Sequence, residues 1–166
     1  MRSSGNVAST PCSPTAPSVP RRRPPPRRRL IAEPQDIGPI ILDSSALLAF
    51  WCDEPGAELV ERAMIAATVV HMTATNITEC TSQLLRRGWE VETIERVLAD
   101  LEITVVHEEL PYGILAGELH ARTRHSGLST GDALCLAAAV RDHLAVFTAD
   151  RAWDTLGLGV PIIVIR

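Results

Sequence analysis

The chain contains no lysine; all 16 of its basic side chains are arginine. This absence excludes a phosphate-binding P-loop, whose motif closes on Lys followed by Ser or Thr. It also argues against a phospho-receiver domain, which clusters acids at the edge of a similar sheet but needs a lysine there. No apolar run approaches the roughly 20 residues of a membrane-spanning helix. Cys12, Cys52, Cys80 and Cys135 form no close pair, so neither a disulfide framework nor a zinc knuckle is indicated. The expected setting is a reducing cytoplasm with inert thiols. The five histidines are scattered, and none joins a Ser or Cys in a nucleophile motif. Gly157-Leu158-Gly159 precedes a strand-like run instead of following one, which excludes a dinucleotide fingerprint.

The 166 residues that are present, 46% of them apolar, suffice for one domain with a core. Charge divides the chain in two. Residues 1–36 hold seven Arg and two acids, a net of +5, whereas residues 37–166 hold nine Arg and 18 acids, a net of −9. Eight of the 12 prolines also fall before residue 37, around the run R-R-R-P-P-P-R-R-R over Arg21 to Arg29. Such a segment has too little apolar surface to fold, so residues 1–36 are expected to be a disordered tail. It has no apolar stretch after its arginines, which argues against a secretory or twin-arginine signal. RNA binding, another targeting role, an idle tail and an upstream stretch from a misplaced start all remain open for it. A body as acidic as residues 37–166 does not attract nucleic acid in bulk; a local basic patch or a metal ion would have to mediate the contact.

From Ile37 onward, short continuous apolar runs alternate with helical periodicity. Strands are expected at Ile40 to Leu42, Val69 to Thr73, Ile103 to Val106, Ala145 to Thr148 and Ile162 to Ile165. Helices are expected at Ser44 to Trp51, Gly56 to Ala67, Asn76 to Arg87, Glu90 to Asp100, Tyr112 to His125, Ala133 to Arg141 and Arg151 to Leu156. The fourth helix has Val91, Ile94, Leu98 and Leu101 as its expected buried stripe, and Gly88 is the expected cap of the third. Strands apolar throughout, alternating with helices, predict an α/β fold with a parallel sheet covered on both faces. His71 and the three tryptophans are expected to pack in the body.

Sites in such folds form at the carboxyl ends of strands, near the point where strand order reverses. Asp43 ends the first strand, in I-I-L-D-S-S-A. Asp150 follows A-V-F-T, Asp132 opens a buried helix in S-T-G-D-A-L, and Glu79 lies early in a helix in T-N-I-T-E-C. Each has a local explanation: Asp43 and Asp150 as caps, Ser129 with Asp132 and Asn76 with Glu79 as capping boxes. Taken together they imply more. Carboxylates near 4 Å repel by roughly 1 to 4 kcal/mol per pair at dielectrics of 80 to 20. A divalent cation offsets that cost, and Mg²⁺ or Mn²⁺ suits carboxylates plus water. One or two such ions can generate hydroxide, hold a phosphate oxygen and stabilise the leaving oxygen.

The segments L-D-S-S-A-L, I-T-E-C, G-D-A-L-C-L-A and F-T-A-D-R-A-W resemble the PIN-domain ribonucleases, most closely the VapC-type toxins of bacterial toxin–antitoxin pairs. The resemblance spans residues 40 to about 165; Trp153 stands where that family more often has Phe. It implies a three-layer α/β/α nuclease domain over residues 37–166, with a parallel sheet of four to five strands and the first and fourth adjacent. It implies Mg²⁺- or Mn²⁺-dependent endonucleolytic cleavage of RNA, with Asp43, Glu79, Asp132 and Asp150 as the metal-binding acids. Thr148 would orient a metal-bound water or a carboxylate, and Asp154 is a further candidate whose default is a solvated helix acid. A homodimer and a cognate antitoxin are also implied, the antitoxin delivering an Arg or Lys into the acidic crevice. Arg86, Arg87, Arg122 and Arg124 are candidate RNA-backbone contacts. Two alternatives stay open: a non-catalytic module of the same fold that binds RNA or protein, and an RNA-processing nuclease outside any toxin pair.

Overall fold

Ile40, Ile41 and Leu42 have no exposed surface at all, which only a central strand covered on both sides permits. A computed structural model describes residues 37–166; the tail expected over residues 1–36 lies outside the described residues. The elements are β1 (Ile40–Leu42), α1 (Ser44–Trp51), α2 (Ala57–Ala66), β2 (Val70–Thr73), α3 (Ala74–Arg86), α4 (Val91–Asp100) and β3 (Thr104–Val106). They continue with α5 (Leu110–Arg122), a 3₁₀ turn at Arg124–Ser126, α6 (Thr130–Asp142), β4 (Ala145–Thr148), a 3₁₀ turn at Arg151–Thr155, and β5 (Ile162–Val164).

All five strands are parallel, in the order β3-β2-β1-β4-β5. Successive side chains of β1 point to opposite faces. Ile40 and Leu42 join a core with Leu47, Phe50, Val60, Met64, Leu84 and Ile94. Ile41 joins a second core with Tyr112, Leu119, Leu136, Ala139 and Trp153 on the other face. The result is the expected three-layer α/β/α sandwich, with five strands. No helix of the described residues is long and apolar enough to cross a membrane.

Several element ends differ from the sequence expectation for local reasons. Helix α3 begins at Ala74 because Thr73 Oγ1 accepts the Asn76 amide (3.0 Å), so Thr73 is its N-cap and no Asn76–Glu79 capping box forms. Helix α6 begins at Thr130 because the Ser129–Asp132 capping box holds its first turn. The helix placed over Tyr112 to His125 instead starts at Leu110, with Pro111 in its first turn, and gives way to a 3₁₀ turn after Arg122. Of the stripe expected on α4, Ile94 is buried but Val91 is exposed, since it is the first residue of the helix and overhangs the core. His71 is half-buried instead of enclosed, and burial lowers its pKa against the opposing charge of Asp142. Trp51, Trp89 and Trp153 are all buried, as expected of packing residues.

Gly56 marks a close approach. It precedes α2 with φ +93, and a Cβ there would sit 2.6 Å from the Ile165 carbonyl oxygen just past β5. Both the left-handed backbone and the contact with main chain oppose any side chain. Gly56→Ala is therefore expected to cost about 2–4 kcal/mol, read as a lowered urea midpoint; a midpoint equal to wild type would contradict the close approach.

Candidate active site

Strand order reverses between β1 and β4, which lie side by side although over 100 residues separate them in the chain. The loops leaving their carboxyl ends part there and open a crevice. Asp43 leaves β1 into that crevice and N-caps α1, its side chain accepting the Ser45 amide (3.2 Å). It is only 3% exposed. Oδ2 also accepts the hydroxyls of Ser45 (2.5 Å) and Thr148 (3.1 Å), while Oδ1 accepts the Asn76 side-chain amide (3.2 Å). Asn76 is itself fully buried, and its own oxygen accepts the Thr73 hydroxyl (2.7 Å). A chain of fixed donors from β2, α3, α1 and β4 thus locks one carboxylate in one orientation.

Thr148 joins the ends of the site. Its hydroxyl donates to Asp43 and accepts the Asp150 backbone amide (3.0 Å). Ser45 Oγ likewise accepts the Ala149 amide (2.8 Å), so the end of β4 is tied to the start of α1. Asp150 caps the following 3₁₀ turn through the Ala152 amide (2.9 Å). The Ser44 hydroxyl donates to Glu79 Oε2 (2.7 Å) and lies 3.3 Å from Asp43 Oδ1, so one hydroxyl stands between two acids. Asp132 accepts the Ser129 amide at 2.7 Å.

Gly131 allows α6 to meet α3. A Cβ there would stand 2.6 Å from Glu79 Oε1 and 3.3 Å from Thr75 Cγ2. Glu79 therefore reaches over the first turn of α6, beside Asp132. The electrostatics agree with this convergence. Burial is the largest influence on Asp132 and raises its pKa; the Ser129 hydrogen bonds oppose this, and the charges of Glu79 and Asp150 add to it. For Asp43, burial again dominates upward, the Ser45 hydrogen bond pulls down, and Asp132 pushes up. All four acids named from the sequence thus meet at one crevice. Asp154 is exposed.

The local readings of Asp43 and Asp150 as caps and of Asp132 in a capping box are also correct; the cap bond takes one carboxylate oxygen of Asp132 and of Asp150, whereas both oxygens of Asp43 are engaged. Ser44, Ser45, Asn76 and Gly131 were not singled out as site residues in the sequence. Two hydroxyls directly after a strand-end acid, and a glycine inside the first turn of a helix, are the signals that mark them. Asn76 carries no such signal, since at its position an Asn reads as a helix cap.

Among the described residues, no three His, Cys, Asp or Glu side chains are placed closely enough to hold a metal ion between them. The donors at hand are nonetheless hard oxygens. Cys80 and Cys135 lie nearby, but burial, followed by the charges of these acids, holds both thiols protonated. An open set of carboxylates fits Mg²⁺ or Mn²⁺, which keep several waters, better than a soft-ligand zinc site.

The family model described as PIN domain matches residues 40–157. The chain belongs to the PIN-domain family. Members of that family are generally nucleases. Among solved structures, a chain of the VapBC2 complex from Rickettsia felis bound to a promoter DNA fragment is similar at 11% identity and a TM-score of 0.57, over 75% of this chain and 97% of that one. PAE2754 from Pyrobaculum aerophilum is similar at 18% identity and a TM-score of 0.48, over 74% of this chain and 87% of that one. Comparison with curated proteins finds no match. In this PIN domain the family match covers all four acidic segments, and the two core clusters account for the sandwich that carries them.

The candidate arginines lie at helix ends. Arg122 ends α5 and Arg124 opens the 3₁₀ turn, both exposed. His120 Nε2 lies 3.0 Å from the Leu128 carbonyl oxygen, which ties that turn to the segment entering the Ser129 cap. Arg86 is exposed at the end of α3, and Arg87 pairs with Glu54 (3.3 Å).

Proposed function

We propose that this PIN domain is a metal-dependent endoribonuclease and the toxin of a toxin–antitoxin pair. The observation that carries the proposal is the meeting of Asp43, Glu79, Asp132 and Asp150 at the β1–β4 switch point of a PIN fold. In a neutral crevice four acids would be an uncompensated cost. Their use is to hold Mg²⁺ or Mn²⁺, which when bound supplies Lewis-acid activation of a phosphodiester and of a water.

The chain's own residues prepare the site. Asp43 presents one fixed carboxylate because Asn76, Ser45 and Thr148 determine its orientation. Ser44 steadies Glu79, the Ser129 amide steadies Asp132, and the Ala152 amide steadies Asp150. Asp43 has both carboxylate oxygens engaged by these donors, whereas Glu79, Asp132 and Asp150 each commit one. Thr148 acts as a positioning residue, setting Asp43 and the Asp150 backbone at one spacing. The sandwich fold shared with a VapBC2 chain supports the toxin reading, with an antitoxin partner, a homodimer and a cytoplasmic site of action.

The decisive experiment incubates labelled tRNA, rRNA and mRNA fragments with the full chain and Mg²⁺, Mn²⁺ or EDTA. Cleavage in either metal and none in EDTA is the expected result; cutting that survives EDTA would overturn the mechanism. RNA binding without cutting in any metal would favour the non-catalytic module. An independent readout is thermal melting. A ligand that binds only the folded state stabilises it by about 2.7 kcal/mol at 100 times its Kd. Mn²⁺ is expected to raise the melting temperature by several degrees, and Asp132→Asn to remove most of that rise.

A further inference from the structure

Resting on the nuclease reading above, we infer that Arg87, Arg151 and Arg166 form a phosphate-binding corner that receives the backbone of the RNA beside the acidic crevice. The three arginines come from separate parts of the chain; two meet on one acid and the third on the main chain of its neighbour. Glu54 accepts Arg166 through Oε2 (2.8 Å) and Arg87 through Oε1 (3.3 Å). Arg166 Nη1 also donates to the Pro55 carbonyl (3.5 Å), and Arg151 Nε donates to the Arg166 carbonyl (3.0 Å). Glu54 thus holds two guanidiniums and the Arg166 main chain holds the third.

The charge count is what sets this corner apart. Residues 37–166 carry a net of −9, yet three of their nine arginines are linked here, two through Glu54 and the third through the Arg166 carbonyl, with Asp53 beside Glu54 in the chain. The side chains of Arg87 and Arg166 stay 39% and 37% exposed. Each guanidinium has five N–H donors and spends one or two in these contacts, so fork-like pairing with phosphate oxygens remains open to it. Position completes the case. Arg151 follows Asp150 directly, and Ile165 donates its amide to the Thr148 carbonyl (2.9 Å), which sets Arg166 next to the β4 end of the crevice. A polyanion drawn toward an acidic site needs such a foothold at its lip. Arg87 was already a candidate in the sequence; Arg151 and Arg166 become visible only through Glu54 and the β4–β5 pairing.

The test uses the full chain carrying Asp43→Asn, so that a 5′-labelled 15-nucleotide single-stranded RNA is bound without being cut. Affinity is measured by anisotropy from 50 to 200 mM salt in Mg²⁺. Each lost phosphate contact reduces the slope of log K against log salt by about 0.7 for a single strand. Arg87→Gln, Arg151→Gln and Arg166→Gln combined are expected to flatten the slope by about 2, whereas Arg→Lys at the same positions retains it. In the cutting enzyme the triple Gln variant is expected to raise KM and leave the single-turnover rate at saturating RNA unchanged. Arg141→Gln is the control: Arg141 pairs with Asp142 at the end of α6, which leads into the opposite end of β4. A melting curve for each variant verifies folding. A triple variant with the slope of the Arg141→Gln control overturns this inference and leaves the nuclease reading standing. A wild-type chain that neither binds nor cuts RNA overturns both.

Discussion

Asp43→Asn is expected to reduce RNA cleavage by about 10³-fold or more, some 4 kcal/mol of barrier, while its stability relative to wild type rises with pH. The loss follows from what Asn cannot do. It has the shape of Asp but no charge, so the crevice loses its most firmly oriented anion, the one held by Ser45, Asn76 and Thr148. The stability outcome follows from the sign of the pKa shift. Burial, reinforced by Asp132, raises the Asp43 pKa above its ordinary 3.8. A raised carboxyl contributes stability that is fully present below the unfolded value and lost as pH rises through the folded one. Metal-free wild type at neutral pH therefore carries the cost of a buried charge that Asp43→Asn removes. Its melting temperature relative to metal-free wild type should therefore rise with pH, on top of a pH-independent loss where its amide NH2 meets the donors that Asp43 accepts. Single-turnover cleavage of a labelled RNA and melting in EDTA read the two halves separately. Cleavage within tenfold of wild type would remove Asp43 from the chemistry; a melting difference that does not change with pH would contradict the buried charge.

The second large effect is expected at a residue with no side chain. Gly131→Ala places a Cβ where Glu79 Oε1 now stands, 2.6 Å away. The obstructing atom is the tip of a flexible, half-buried side chain, so the fold yields cheaply, but the carboxylate must leave its place and with it the 2.7 Å bond from Ser44. Displacing a positioned group by an ångström costs about 10²-fold, and losses of about 10–100-fold are typical when the support of a metal ligand is removed. Gly131→Ala should therefore cut 10- to 100-fold more slowly with a near-normal melting curve. Gly56→Ala should behave in the opposite way, since its obstruction is the Ile165 main chain and lies outside the crevice. Comparing kcat and melting temperature for the two glycine variants separates these roles. Wild-type activity in Gly131→Ala would mean that the position of Glu79 does not matter.

Much of the site was legible because strand ends and helix starts are local. Asp43 follows three apolar residues with no exposed surface, and Asp150 follows a second such run; both placements need only the period of the pattern and the rule that acids cap helices. Asp132 was visible for the same reason, as half of a capping box. Asn76 was misread because an Asn three residues before a Glu fits a cap equally well; only the Thr73 hydroxyl, which begins the helix earlier, turns the Asn76 side chain inward toward Asp43. The arginines divide in the same way. Arg87 stands out as a charge near a helix end, but its partner Glu54 lies over 30 residues away.

The order of elements, the burial of α6 and the identity of the four acids are properties of the chain as written, because hydrophobic period and capping act over a few residues. The placement of β4 beside β1, the reach of Thr148 to Asp43 across 105 positions, the approach of Gly131 to Glu79 and the meeting of Arg87 and Arg166 on Glu54 belong to the folded protein alone. They depend on how two apolar cores close over the faces of one sheet. Packing between surfaces distant in the chain leaves no periodic trace in either segment, so neither reveals its partner until both are in place.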